Sequence, residues 1–231
     1  HRRGYRSGQG SAPIKENLAA ALLLRAGWPE MMAKGAALLD PMCGSATLII
    51  EGAMMAADIA PALLRERYGF SAWKQHDQAL WQTLIDEAEQ RKQVGLDRLE
   101  LDIRGYDANP RVLEFATLNI EKAGLDEHIR LAHKPIDQFG RATAEYGLLI
   151  TNPPYGERLG DLEGLRPIYA KLGAVLQKNF QGWKAGIFTG NLELGRETDL
   201  TPSKQYKLFN GTIPCKLLMF EDLTSRSAKI E

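Results

Sequence analysis

Apolar residues recur along the chain in two patterns, short continuous runs and longer stretches with helical spacing. The runs predict five strands, at 36–39, 101–106, 129–133, 146–150 and 183–189. Apolar residues at intervals of three and four predict amphipathic helices between them, at 11–26, 48–57, 110–123 and 163–180. Strands that alternate with helices are typical of a parallel α/β sheet.

The C-terminal part of the chain departs from this alternation. Residues 204–209 and 213–220 flank Asn210-Gly211, and this pattern predicts a β-hairpin. We therefore expect a seven-stranded, mostly parallel sheet that ends in an antiparallel pair. Residues from about 58 to 98 delay the second strand and are interpreted as a helical insertion. The apolar side chains of this insertion are expected to form its packing face: Trp73, Leu80, Trp81, Leu84, Ile85 and Ala88.

Polar and glycine residues follow the first predicted strand, in the segment Asp40-Pro41-Met42-Cys43-Gly44-Ser45. The three spaced glycines of a dinucleotide site are missing, and no lysine follows Gly44 as it does in a phosphate loop. The turn therefore favours a nucleoside without a pyrophosphate. Gly44 lets the backbone pass close to a ligand, and Asp40 can face a cationic group. A tight turn in which Asp40 caps the next helix explains the segment equally well.

Two further carboxylates follow the next two predicted strands. Asp107 ends the second strand, where an acid accepts the hydroxyls of a ribose. Capping of the following helix is the alternative, although the place of Asp107 at the strand end favours ribose binding. Asp137 follows the third strand and could hold an adenine amine or simply lie on the surface.

The fourth predicted strand runs into Asn152-Pro153-Pro154-Tyr155. The two prolines make this strand exit rigid and remove its amide donors. The amide oxygen of Asn152 and the carbonyl of Pro153 can accept both N–H bonds of an exocyclic amine, and the Tyr155 ring can stack on a flat base. A proline-rich strand exit with a hydrophobic tyrosine is the alternative interpretation.

Composition excludes several classes of protein. The chain has 231 residues, a formal net charge of zero and 44% hydrophobic residues, which is ordinary for a globular domain. It has no apolar run long enough to span a membrane. Its 2 cysteines and 4 histidines show no metal-ligand spacing, so we expect no metal site and a reducing, cytoplasmic setting.

The N-terminal segment is locally basic. Arg2, Arg3 and Arg6 could contact phosphate, or they could belong to a solvated terminus. Ser11 is the expected N-cap of the first helix, and Pro13 fits its first turn. The chain begins without a methionine, and we expect it to be a fragment of a longer protein.

Taken in order, the motifs after the first, second and fourth strands resemble those of class I S-adenosylmethionine-dependent methyltransferases, whose Rossmann-like fold has a seven-stranded sheet with one antiparallel strand. The Asn-Pro-Pro-Tyr motif resembles that of enzymes that methylate adenine, guanine or protein glutamine. Further stretches are similar to the bacterial 23S ribosomal RNA guanine-N2 methyltransferases, in which a THUMP domain precedes the catalytic domain: 1–6, 12–19, 70–77 and 152–159.

This resemblance implies a methyl transfer from S-adenosylmethionine to the N2 amine of a guanine in 23S rRNA. It implies catalysis by the strand exit, which comprises Asn152, Pro153, Pro154 and Tyr155. The implied cofactor-binding residues are Pro13, Asp40, Pro41, Cys43, Gly44, Ser45, Asp107, Ala108, Asp137 and Asn152. The implied RNA contacts are Arg2, Arg3, Arg6 and Arg158; for Arg158, a surface loop charge is an equal alternative.

Two features depart from that family. No THUMP domain precedes the motifs, so we interpret residues 1–12 as an arm or linker from such a domain and 13–231 as the methyltransferase domain. Ala46 stands where many relatives have a second glycine. The alternative functions are adenine-N6 methylation, protein glutamine methylation and non-catalytic RNA binding in ribosome assembly, whereas the missing glycines disfavour a nicotinamide oxidoreductase.

Overall fold

A seven-stranded sheet forms the centre of the protein. The computed structural model describes residues 3–6, 14–65, 67–140, 142–156 and 162–223. The strands lie in the order β3-β2-β1-β4-β5-β7-β6, with β7 antiparallel to its neighbours. Their bounds are β1 Ala37–Asp40, β2 Ile103–Asp107, β3 Ile129–His133, β4 Gly147–Thr151, β5 Lys184–Thr189, β6 Lys204–Asn210 and β7 Ile213–Phe220. The predicted sheet and its closing hairpin are thus confirmed.

Helices connect these strands and cover the sheet. Helix α3 contacts α1, α2 and α5, and α1 also contacts α2. Helix α6 contacts α7 and the short 3-10 turn Ile136–Gln138. Their bounds are α1 Glu16–Arg25, α2 Trp28–Met32, α3 Thr47–Ala56, α4 Gln78–Asp97, α5 Pro110–Ala123, α6 Leu162–Asn179 and α7 Leu192–Arg196. The short helices α2 and α7 are too brief to leave a helical periodicity in the sequence.

The parallel pairing fixes where the strand ends meet. Strand β1 is hydrogen-bonded to β2 on one side and to β4 on the other, with Asp40 opposite Gly105 and Leu39 opposite Leu149. Strand order reverses between β1 and β4, because the chain leaves β1 toward β2 and returns to β4. Ligands in open α/β sheets bind at such a reversal, outside the carboxyl ends of the strands.

One sequence-based expectation about the helices is wrong, and a second is met only in part. The first helix begins at Glu16 with Lys15 as its N-cap, and not with Ser11, which lies outside the described residues together with Pro13. The expected packing face of the insertion forms only in part, because no side chain of α4 is buried and Trp73 is 69% exposed. Of that face, Trp81 packs edge-on against Tyr68 and Phe70, which come from the insertion itself.

Gly173 makes a close contact that a larger residue cannot make. This glycine lies inside α6, where a Cβ atom would lie 2.0 Å from the Thr198 carbonyl oxygen. Gly173→Ala should therefore lower the free energy of unfolding by about 3 kcal/mol in urea denaturation, as overpacking does. Gly164→Ala in the same helix is the control, because its Cβ would meet no atom within 4 Å. We expect it to gain up to about 1 kcal/mol of helix propensity; equal stability of the two variants contradicts the packing account.

Candidate active site

An open cavity of about 410 Å³ lies at the carboxyl ends of β1, β2 and β4. This volume is in the range of sites for drug-sized ligands. The predicted residues that line it are Asp40, Pro41, Cys43, Gly44, Ser45, Asp107, Ala108, Asp137, Asn152 and Pro154. The structure therefore brings together side chains that are separated by up to 114 positions, from Asp40 to Pro154.

The turn between β1 and α3 forms the floor of this cavity. Gly44 and Ala46 both have left-handed backbone, with φ of 54° and 68°. Ala46 is the N-cap residue of α3 and fully buried, so the turn accepts a conformation that glycine adopts more readily. Met42 N donates to Asp40 Oδ1 at 3.0 Å, which holds the Asp40 carboxyl inside the turn.

Asp107 fixes two backbone segments around the cavity. Its Oδ2 accepts a hydrogen bond from Gly44 N at 3.0 Å, and its Oδ1 accepts one from Asn109 N at 2.9 Å. The cap of α5 is Asn109, whose side chain accepts from Arg111 N, so the alternative role of Asp107 as the helix cap is not what the structure shows. The Asp107 carboxylate therefore joins the β1–α3 turn to the start of α5.

Asp40 is a buried acid with an altered protonation equilibrium. Its side chain is almost inaccessible, and burial raises its pKa to about 7, although contacts with Thr151 and Met42 partly oppose this shift. The nearby Asp107 carboxylate raises the pKa further. Asp40 therefore changes charge near neutral pH, and a cation bound beside it would favour the ionised form.

The strand exit after β4 is divided between the cavity and the core. Asn152 and Pro154 line the cavity, whereas Pro153 and Tyr155 are buried. The Tyr155 hydroxyl accepts a hydrogen bond from Asn210 Nδ2 at 2.9 Å, and a Cβ on Gly190 would lie 3.0 Å from the Tyr155 ring. The expectation that Tyr155 offers an open ring face to a base is therefore not met in this conformation.

Asp137 lines the cavity from the short 3-10 turn Ile136–Gln138. It is exposed, and its carboxylate pairs with Lys171 Nζ of α6 at 3.1 Å. Sequence reasoning missed several apolar lining residues that have no polar signature: Ile14, Leu48, Val112, Ile136 and Ile168. It also missed Thr47, Asn109 and Lys171. Of these, Asn109 could have been found, because an asparagine before Pro110 is a typical helix N-cap.

Arg3 and Arg6, the predicted RNA contacts within the described residues, both bond to side chains of α3. Arg3 forms an ion pair with the buried Glu51 of α3 at 3.1 Å, and the Arg6 guanidinium donates to Thr47 Oγ1 at 2.9 Å. Tyr5, between them, is fully buried. Residues 3–6 are thus part of the folded domain rather than of a separate arm. Arg2, Pro13 and Arg158 lie outside the described residues.

The described part of the chain shows neither a metal cluster nor a membrane span. Within it, no group of three or more His, Cys, Asp or Glu side chains is placed to hold a metal ion. No helix in the same residues is long and apolar enough to cross a membrane. Both cysteines are buried as free thiols, and Cys43 lines the cavity.

Comparison with known proteins gives close matches. The family model described as "RMKL-like, methyltransferase domain" matches residues 3–219. "Ribosomal RNA large subunit methyltransferase K/L" of Cellvibrio japonicus is 55% identical over 224 residues, which cover 95% of this chain and 30% of that protein. The protein of the same name from Pseudomonas aeruginosa PAO1 is 51% identical over 223 residues, or 96% of this chain and 31% of that protein. The chain thus spans about a third of these relatives' length.

Solved structures confirm the expected Rossmann-like fold. The crystal structure of SMU.472 complexed with SAH is 34% identical with a TM-score of 0.84, and the match covers 95% of this chain and 55% of that one. A "predicted N6-adenine-specific DNA methylase" from Listeria monocytogenes is 34% identical with a TM-score of 0.82, over 95% of this chain and 54% of that one.

Proposed function

We propose that this chain, which belongs to the RMKL-like methyltransferase domain family, transfers a methyl group from S-adenosylmethionine to the exocyclic N2 amine of a guanine in 23S rRNA. The relatives that are more than half identical to it are named as large-subunit ribosomal RNA methyltransferases, which supports RNA as the substrate class. The guanine amine as the target rests on the resemblance of the sequence motifs.

One observation carries this proposal. Asn152, from the end of β4, lines the same cavity as Asp40, Gly44 and Asp107 from the ends of β1 and β2. The hydrogen-bond acceptor of Asn152 therefore lies in the same cavity as residues suited to a nucleoside that carries an amino acid. Asp107 suits ribose hydroxyls, Asp40 suits the cationic end of the amino acid, and apolar side chains such as Val112 and Ile136 suit the faces of an adenine ring.

The chain contributes orientation and charge to the reaction. S-adenosylmethionine, when bound, supplies a methyl group that is already electrophilic. The guanine amine is a weak nucleophile, because its lone pair is delocalised into the ring. The Asn152 side-chain oxygen would accept a hydrogen bond from one N–H of that amine, which would localise the lone pair and orient the amine for transfer. The new N–C bond would form as the donor's S–C bond breaks, and the amine would lose one proton to solvent. The Pro153 carbonyl is the proposed second acceptor, and Pro154 keeps the segment rigid.

The RNA side of the site needs a base outside its helix. A guanine in a stem must leave the base stack before its amine reaches Asn152. Because Tyr155 is buried and bonded to Asn210, stacking of this ring on the base requires the strand exit to rearrange. We propose that Tyr155 stacks on the target base and that Arg158 contacts a phosphate of the RNA. We further propose that a THUMP-like domain before this one binds RNA in the whole protein, and that the protein acts in the cytoplasm.

Adenine-N6 methylation is the second candidate. The Listeria neighbour, at 34% identity, carries that activity in its name, and Asn152 would accept an N–H bond of either base amine. The first experiment is transfer of labelled methyl groups from S-adenosylmethionine to 23S rRNA from a strain that lacks the modification. Incorporation of the label into the RNA supports methyltransferase activity. Absence of both incorporation and S-adenosylmethionine binding would instead favour a non-catalytic RNA-binding protein.

The pKa of Asp40 predicts a pH dependence of cofactor affinity. Because burial raises this pKa to about 7, the carboxyl gains a proton and loses its attraction for a cation as the pH falls through 7. The affinity for S-adenosylmethionine should fall about tenfold between pH 7 and pH 5.5 in isothermal titration calorimetry. The Asp40→Asn variant should bind more weakly at pH 7 and show a flat profile. A wild-type affinity that does not change across this range contradicts the role of Asp40.

A further inference from the structure

Arg6 lies against the wall of the cavity, at the start of α3. Its Nη2 donates to Ile14 O at 2.6 Å and to Thr47 Oγ1 at 2.9 Å, and both of these residues line the cavity. The Thr47 hydroxyl lies 3.3 Å from Ser45 Oγ, which belongs to the glycine turn. The guanidinium is thus joined to the cavity wall by a short series of hydrogen bonds.

The charge of Arg6 is only partly balanced by its surroundings. Its Nε is buried and has no hydrogen-bond partner among the described residues. Glu16 Oε1 lies 4.0 Å from that nitrogen, beyond the range of a hydrogen bond. Arg3 differs in this respect, because its Nε and Nη2 both donate to the Glu51 carboxylate. Arg3 is bonded directly to a carboxylate, whereas the Arg6 guanidinium pairs with Glu16 only at 4.0 Å and bonds the Thr47 hydroxyl, which lines the cavity.

The cavity itself is rich in negative charge. Asp40, Asp107 and Asp137 line it, and the one positively charged side chain among its described lining residues, Lys171, is paired with Asp137. A ligand carboxylate would meet three carboxylates in this cavity unless a cation stood near it. An amino acid carries both an ammonium and a carboxylate, so a cavity that accepts one needs an anion and a cation at the same end.

We infer that Arg6 recognises the carboxylate of the amino-acid part of the methyl donor, in partnership with Thr47. This inference rests on the proposed function and names a residue for it. Asp40 faces the ammonium, and Arg6 acts from the α3 side of the same turn through the Thr47 hydroxyl, which accepts a hydrogen bond from Arg6 and lines the cavity. This role differs from the RNA contact that the sequence suggests for Arg6. It implies that the residues that recognise the donor's carboxylate are not those that bind its ribose and base.

Decarboxylated S-adenosylmethionine isolates this contact, because it keeps the ammonium, the sulfonium and the nucleoside and lacks only the carboxylate. The measurement is calorimetric affinity of the 231-residue chain for both compounds. Wild type should bind S-adenosylmethionine more tightly. Arg6→Gln should weaken that binding about tenfold or more, as loss of a charge-assisted hydrogen bond does, and leave binding of the decarboxylated compound nearly unchanged.

Arg3→Gln is the matched control, because it removes a neighbouring arginine whose side chain bonds Glu51, a residue that is not among those lining the cavity. It should lower stability and weaken both ligands equally or not at all. If Arg6→Gln does not fold, Arg6→Lys retains the charge with fewer donors and should show a smaller loss that is still selective for S-adenosylmethionine.

The outcomes separate two failures. Equal loss of both ligands in the Arg6 variants, or no loss of either, overturns the carboxylate assignment and leaves the proposed function intact. A wild type that binds both compounds equally also overturns the assignment. A wild type that binds neither compound overturns the proposed function itself.

Discussion

Replacing Asn152 with alanine should lower the rate of methyl transfer by about 10²- to 10³-fold, the usual cost of removing one group that stabilises a transition state. Affinity for S-adenosylmethionine should change little. The amide oxygen is assigned to the amine of the target base, and the cofactor keeps Asp40, Asp107 and the glycine turn, which also line the cavity. The measurement is a single-turnover rate with saturating cofactor and rRNA, beside a calorimetric titration of the cofactor.

Two further variants make this test specific. Asn152→Asp keeps an acceptor oxygen at the same place and should retain more activity than the alanine variant. Asn179→Ala removes an amide that bonds the Phe139 carbonyl away from the cavity, and it should leave the rate unchanged. If the alanine variant at position 152 transfers methyl groups as fast as wild type, Asn152 does not hold the amine.

Replacing Asp107 with alanine should weaken S-adenosylmethionine binding by about 10²-fold, and this is the second large effect that we expect. The carboxylate bonds the backbone N–H groups of Gly44 and Asn109, at 3.0 Å and 2.9 Å. Hydrogen bonds to a charged group are worth about 1.5–3 kcal/mol each. The variant loses both the proposed ribose contact and the link that shapes the turn, so its affinity loss exceeds that of a simple ligand contact.

Comparison with asparagine separates the two contributions. Asp107→Asn keeps one acceptor oxygen, which can satisfy one of the two backbone N–H groups but not both. Its affinity should therefore lie between those of wild type and the alanine variant. Asp126→Ala, at an exposed position outside the cavity, is the control. Unchanged calorimetric affinity in Asp107→Ala would remove Asp107 from the site.

The sequence predicted the cavity from the places where strands end. Asp40, Asp107 and Asn152 each follow an apolar run, and parallel strands bring such residues to one edge of the sheet. The closing hairpin was predictable because Asn-Gly between two apolar runs favours a tight turn. In the structure Gly211 has the positive φ, 64°, that such a turn requires. In both cases local pattern and tertiary structure agree.

The sequence could not predict which polar residues would be buried. Arg3 and Arg6 form a basic cluster in the sequence, but their partners Glu51 and Thr47 lie more than 40 positions further along the chain. Tyr155 has the right type and position for base stacking, yet its hydroxyl is held by Asn210 from β6. Periodicity did not show that α4 would have no buried side chain, since an amphipathic pattern does not say what lies opposite its apolar face.

The identity of the modified nucleoside tests the central claim most directly. Unmodified 23S rRNA is treated with the protein and deuterated-methyl S-adenosylmethionine, digested to nucleosides and analysed by mass spectrometry. Our account predicts the label in N2-methylguanosine with wild type, and its near absence with Asn152→Ala. Label in N6-methyladenosine, or label in N2-methylguanosine that is equally abundant with both proteins, would contradict it.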